Sequence, residues 1–178
     1  MVGSSSERLK VFLVEPNTDL HPQLMHSYPE LNHHHDITVC GFGIALDSGT
    51  QAFYQYGDIH GNYSLLNRDT HPLRDSATVK SIETKTFEEF CNSNNLSEIE
   101  CLYIDTEGLD YEILSSIDLS KIDIKVIIFE EWRFDNDDRN EVYRSGPKFL
   151  EEVIMPKYSG YKWSKSMLNG DVNYRIVK

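Results

Sequence analysis

Three short apolar runs in this chain each end in an acid: residues 11–14 run into Glu15, residues 101–104 into Asp105, and residues 126–129 into Glu130. Four apolar residues without polar alternation suit a strand covered on both faces, the habit of parallel sheets sandwiched by helices. Ligands of such sheets lie beyond the carboxyl ends of the strands. An acid at that point has left the apolar layer and can face a bound molecule, so three of them point to one lined crevice. The plain alternative is that each acid marks where a strand reaches water.

The length of 178 residues predicts a single domain, 1–178, with room for a substantial core. A formal net charge of -12 and a pI near 4.9 work against polyanionic partners, so no nucleic acid and no anionic membrane is expected. No stretch has signal-peptide or membrane-spanning length, which makes the cytoplasm the default location. The cysteines, 40, 91 and 101, are odd in number and lack C-x-x-C spacing. They read as small buried or half-buried residues rather than as a disulfide framework or zinc site.

Along the chain, a strand over 9–15 leads to Asn17 as the N-cap of a helix reaching Tyr28, with Leu20, Leu24, Met25 and Tyr28 on one face. A strand follows over 37–46, then a half-exposed one over 51–57 with Ala52, Tyr54 and Tyr56 on one face. A strand over 77–83 precedes Thr86, which with Glu89 makes a capping box for a helix through Asn92. The run ending at Asp105 feeds a helix over 109–117, and a strand over 125–130 is followed by a polar loop at 135–141. Pro147 opens a helix reaching about Lys157. The tail reads as a hairpin, 161–168 and 172–177, turned at Asn169-Gly170. The whole describes an open α/β sandwich of Rossmann type: a mostly parallel sheet with a C-terminal antiparallel hairpin. Among histidines, the 33–35 run with His21, His26 and Asp36 invites a metal, but adjacent loop histidines cannot all aim inward, and no metal site is predicted.

Several segments then carry a likeness in order over residues 10–132: Val14-Glu-Pro-Asn17, Ala45-Leu46 with Asp47 and Gly49, Ser64-Leu65, Thr86-Phe-Glu-Glu-Phe90, Ile104-Asp-Thr-Glu-Gly108 with Glu112 and Leu114, and Ile127-Ile-Phe-Glu130. This set resembles the successive motifs of FkbM-type methyltransferases. The Ile-Asp-x-Glu-Gly piece is the most specific. The resemblance implies a Rossmann-like methyltransferase fold that binds S-adenosylmethionine and transfers its methyl group, usually to a hydroxyl of a small metabolite or sugar, the small-molecule methyl acceptor.

On that reading Glu15 corresponds to the acid that accepts both ribose hydroxyls of the cofactor. Asn17 supports that turn or caps the following helix, and Ala45 stands where a small residue packs near the adenine. Asp105 and Glu107 match the acids beside the methyl-transfer centre, where a carboxylate can take the hydroxyl proton or orient the acceptor and where negative charge suits a sulfonium. Glu107 as a cap for the helix at Leu109 is the structural alternative. Glu130, Glu131 and Trp132 would wall the substrate pocket, the indole offering an apolar or stacking surface; surface solvation explains Glu131 equally well.

One departure bears on all of this. A Rossmann site places a first strand, a glycine-rich turn and a helix before the ribose acid, and the fourteen residues ahead of Glu15 hold no such set. The first strand and helix are therefore expected to be missing, so that neighbouring strands either pair directly or leave ladder groups unpaired. Three readings stay open: a segment of a longer polypeptide, a chain completed by self-association or a partner segment, or a degenerate methyltransferase-like module that binds or assembles without methylating.

Overall fold

The structure, a computed structural model, describes residues 8–27, 35–56, 63–65, 74–131, 147–168 and 171–178. Its strands are β1 (Lys10–Val14), β2 (Asp36–Cys40), β3 (Gly43–Ile44), β4 (Gly49–Gln55), β5 (Tyr63–Ser64), β6 (Thr78–Lys85), β7 (Glu98–Ile104), β8 (Asp123–Glu130), β9 (Lys162–Leu168) and β10 (Asp171–Val177). Helices α1 (His21–Ser27), α2 (Phe87–Ser93) and α3 (Asp110–Ser116) are joined by a fourth, α4, over 147–157. Among the described residues, no helix is long and apolar enough to cross a membrane. Tyr28, His33, His34, the polar loop at 135–141 and the Asn169-Gly170 turn lie outside the described residues.

The expected single, mostly parallel sheet is replaced by three sheets of mixed direction. β1 and β2 form a parallel pair, with Glu15 extending the ladder by donating its amide to the Cys40 carbonyl at 3.0 Å. β7–β8–β10–β9 form a second sheet, in which only β7 and β8 are parallel and β10 is antiparallel to both its neighbours. β3–β6–β4–β5 form the third, with a short parallel pairing of β3 to β6 and antiparallel pairing elsewhere. The C-terminal hairpin stands as expected, Asp171 opposite Leu168 through Val177 opposite Lys162.

Sequence spacing predicted one strand over 37–46, yet the chain breaks at Gly41-Phe42, leaves β1 and joins β6. The His21 ring comes close at that break: a Cβ added to Gly41 would lie 3.3 Å from its Cε1 atom. In β4 the buried side chain is Phe53, with Ala52 exposed and Tyr54 half-buried, while Tyr56, just past the strand, is completely buried.

None of the three apolar runs is buried throughout, and the one in β8 comes nearest. β8 has a ladder partner on each side and exposes no residue; Ile124, Ile127 and Phe129 are completely covered. β7 pairs only with β8 among the described residues, and Cys101 and Tyr103 stand exposed on it. β1 pairs only with β2 there, and its four apolar residues are half-buried. The difference is physical: a strand with one neighbour keeps a flank open to water whatever its side chains prefer. Of the cysteines, Cys91 is buried and Cys40 half-buried, but Cys101 is exposed, and all are free thiols.

The core gathers where α3 and α4 lie on the second sheet. Ile113, Leu114 and Ile117 from α3 meet Leu150 and Ile154 from α4 and Ile127, Phe129, Tyr174 and Ile176 from the strands. α2 joins through Phe87, Phe90 and Cys91, and Phe90 takes the edge of Phe12 from β1 at 5.3 Å. The capping box that starts α2 is present: the Glu89 amide donates to Thr86 Oγ1 at 3.1 Å, and Glu89 Oε2 accepts from the Thr86 amide. α4 widens to a π-turn over Leu150–Ile154, one residue ahead of Pro156. Proline lacks an amide and would crowd the carbonyl four residues back, and the wider turn relieves that crowding.

At the end of α3, carbonyls without intrahelical partners are taken by side chains. The Tyr158 hydroxyl donates to the Leu114 carbonyl at 2.9 Å, and Lys157 Nζ donates to that of Ser115. Tyr158 is completely buried, so its hydroxyl has no water to fall back on. Tyr158→Phe is expected to lower stability by about 1–3 kcal/mol through the loss of that buried bond. The measurement is a urea midpoint that falls at unchanged slope.

Candidate functional site

Two groups of acids stand at carboxyl ends of strands, on two different sheets. Glu15 follows β1. Its Oε1 atom accepts the Asn17 amide at 2.7 Å, which folds the chain back around Pro16. His21 Nε2–H donates to the Glu15 carbonyl at 2.8 Å, so the first turn of α1 is tied to the strand end. Burial pushes the Glu15 carboxyl above its ordinary value, while the Asn17 amide and the nearby His21 pull it down. Glu15 Oε2 has no hydrogen bond among the described residues, leaving an acceptor for a ligand.

Asn17 is 4% exposed, and its Oδ1 caps the following 3-10 turn by accepting the Asp19 amide at 3.3 Å. Its Nδ2 group is buried without a partner. A buried donor left unmade costs free energy, so this amide is suited to a group brought in from outside the chain. Ala45 is 3% exposed and donates its amide to the Lys85 carbonyl, which fixes the chain just past β3. Glu15 and Asn17 are thus brought together directly, whereas Ala45 belongs to the third sheet.

Asp105 and Glu130 follow adjacent parallel strands, since Ile104 lies opposite Phe129 in register. Asp105 is exposed and Glu130 half-buried. Trp132 lies outside the described residues. Beside Glu130, the Glu131 carboxylate is more than solvated surface: it accepts from the Tyr174 hydroxyl at 2.8 Å and from Lys165 Nζ. Tyr174 stacks on Phe129, ring centroids 5.3 Å apart, with Trp163 set edge-on to Phe129. This aromatic cluster makes the wall at the end of β8 rigid.

Between β7 and α3 the chain makes a tight turn whose organiser sequence reasoning missed. Asp110, the first residue of α3, is 4% exposed. Its carboxylate accepts the Thr106 hydroxyl at 2.9 Å and the Thr106 and Gly108 amides, both at 3.4 Å. Thr106 Oγ1 in turn accepts the Leu109 amide at 3.1 Å. These bonds tie the turn ahead of α3, whose N-cap, Leu109, makes no side-chain cap bond, and within that turn Glu107 has φ 56° and Gly108 φ 123°. Glycine takes such a conformation freely; a glutamate there costs about 1–2 kcal/mol. A second tie comes from the third sheet, where the Ser64 hydroxyl donates to the Glu107 carbonyl at 3.0 Å.

The only signal for Asp110 in the sequence is an acid in the first turn of a helix, which the helix dipole favours anywhere. Its burial, which distinguishes it, is a property of the packed chain. No group of residues able to hold a metal ion occurs among the described residues. His21 is engaged with Glu15, and His35 Nδ1 accepts the Leu9 amide at 3.3 Å.

With this geometry in hand, comparison with known proteins gives one match. A family model described as the methyltransferase FkbM domain matches residues 5–161. No curated protein and no solved structure matches.

Burial raises the Asp110 carboxyl from its ordinary value of 3.8, outweighing the Thr106 and Gly108 donors that lower it. As pH rises the unfolded chain therefore sheds this proton first, and the protein loses stability through the window above the ordinary value. Asp110→Asn removes the titration. The stability advantage of the native protein over this variant is expected to be greatest in acid and to shrink toward neutrality. Urea midpoints across that range check it, and an advantage that grows with pH is the contrary result.

Proposed function

The chain belongs to the methyltransferase FkbM domain family, and we propose that it moves a methyl group from S-adenosylmethionine to a hydroxyl oxygen on a small metabolite or sugar. The observation that carries this reading is the family match over residues 5–161, joined to a strand-end carboxylate with an unused oxygen beside a buried, unused amide donor. Those residues fit an adenosyl ligand. Glu15 Oε2 offers an acceptor for ribose hydroxyls, Asn17 Nδ2 a donor, and the buried Ala45 a small surface beside the purine. Bound there, S-adenosylmethionine supplies an electrophilic methyl group on a sulfonium.

The protein's part is to hold the acceptor in line and manage one proton. A strand-end carboxylate would take the proton of an acceptor hydroxyl held in line with that methyl group. Asp105 is the base in this reading. Glu107 contributes negative charge beside it, and Glu130 with Trp132 walls the acceptor pocket. The single domain 1–178 would work in the cytoplasm, with self-association or a partner segment completing the sheets at β1 and β7. The pairing of each of these strands on one side only, among the described residues, is also what favours the second reading, a non-catalytic methyltransferase-like binding or assembly module.

Two measurements test the enzyme reading. Titration calorimetry with S-adenosylhomocysteine should show binding that Glu15→Ala weakens about 10- to 100-fold, the scale of a lost charge-assisted hydrogen bond. No heat from the folded native protein defeats the cofactor assignment and leaves the binding module. Asp105→Asn should lower turnover by about 10²–10⁴-fold with cofactor affinity nearly unchanged, as for loss of a general base. Equal losses in both would make Asp105 a binding residue.

A further inference from the structure

The turn 105–108 is held from two directions by residues that belong to neither strand-end group. From below, the buried Asp110 carboxylate gathers the Thr106 hydroxyl and the amides of Thr106 and Gly108. From the side, Ser64, itself buried at the end of β5, holds the Glu107 carbonyl at 3.0 Å. The held backbone atoms alternate with the acids: Asp105 precedes Thr106, and Glu107 stands between Thr106 and Gly108. A left-handed φ of 56° at Glu107 is not where a free glutamate rests, so the direction of that residue is set by the two ties.

We infer that Asp110 and Ser64 are positioning residues, clamping the 105–108 turn so that the Asp105 and Glu107 carboxylates give the site its preference for the cationic sulfonium over the neutral thioether it becomes. This rests on the methyltransferase reading above. A fixed pair of negative charges distinguishes +1 from 0 at sulfur, whereas the same charges on a loose turn are spread by motion and solvated. The clamp therefore bears on release of the spent cofactor: discrimination against the thioether is discrimination against product.

The test compares S-adenosylmethionine with S-adenosylhomocysteine by calorimetry on the native protein, Asp110→Asn and Ser64→Ala, together with hydrogen exchange of the 106–109 amides. Expected are faster exchange at those amides by about tenfold or more in Asp110→Asn, and a fall in the sulfonium-to-thioether affinity ratio of about three- to tenfold in both variants. Homocysteine-ligand affinity should stay within about twofold, because Glu15 and Asn17 are untouched. Should Asp110→Asn fail to fold, Ser64→Ala decides, as it removes one hydroxyl from a short edge strand. Equal losses for the two ligands mean the residues are merely structural and overturn the inference, as does faster exchange with an unchanged ratio. A native protein that binds neither ligand overturns the methyltransferase reading and the charge preference together, a result distinct from either of those.

Discussion

The pairing of β7 with β8 is the constraint on which most of the molecule turns. Those strands run parallel and in register, so their carboxyl ends finish level and set Asp105 and Glu130 side by side. β8 can occupy the middle because its apolar residues are matched on both flanks, by β7 and by the antiparallel β10. Burying Ile124, Ile127 and Phe129 completely, at about 1.5–3 kcal/mol for each side chain, anchors the strand whose tip forms one wall of the candidate site. α3 and α4 close over it, and the Tyr158 and Tyr161 hydroxyls satisfy the Leu114 and Ile124 carbonyls.

Against that apolar background, a carboxylate at the start of α3 is an expensive choice, yet the chain surrounds Asp110 with donors instead of removing it. A residue needed only for capping could be an exposed serine or threonine. Buried, the same acid organises the four residues that precede it. The left-handed Glu107 lies within the Ile104-Asp-Thr-Glu-Gly108 segment.

How far the sequence reveals this molecule depends on the range of the interactions concerned. The Thr86–Glu89 capping box, the Asn17 cap and the Pro147 helix start are local, and each is found where its residues place it. The terminal hairpin is also local, its two strands pairing from Asp171 opposite Leu168. The strand over 37–46 was misjudged because its apolar residues are continuous while its pairing partners change at Gly41-Phe42, and partner choice is not written in one segment. The same limit applies to sheet direction: apolar tetrads imply cover, but β10 supplies that cover to β8 from the antiparallel side. At the site, Glu15 and Asn17 are seen together because only Pro16 separates them, whereas the Ser64 bond spans 43 residues of chain and Asp110 declares itself only through burial.

The exposed flank of β7 has a consequence for how the protein behaves in concentrated solution. Among the described residues β7 has a ladder partner on one side only, and such an edge, bearing half-exposed Tyr103 together with Cys101, is a template onto which other chains can add. Glu98 and Glu100 project from the same strand, both exposed, and a second copy of this edge would bring them against their own kind. Charge thus acts as a gatekeeper at the entrance to the ladder while the exit stays apolar, so resistance to aggregation should weaken in high salt, which screens the first and leaves the second intact.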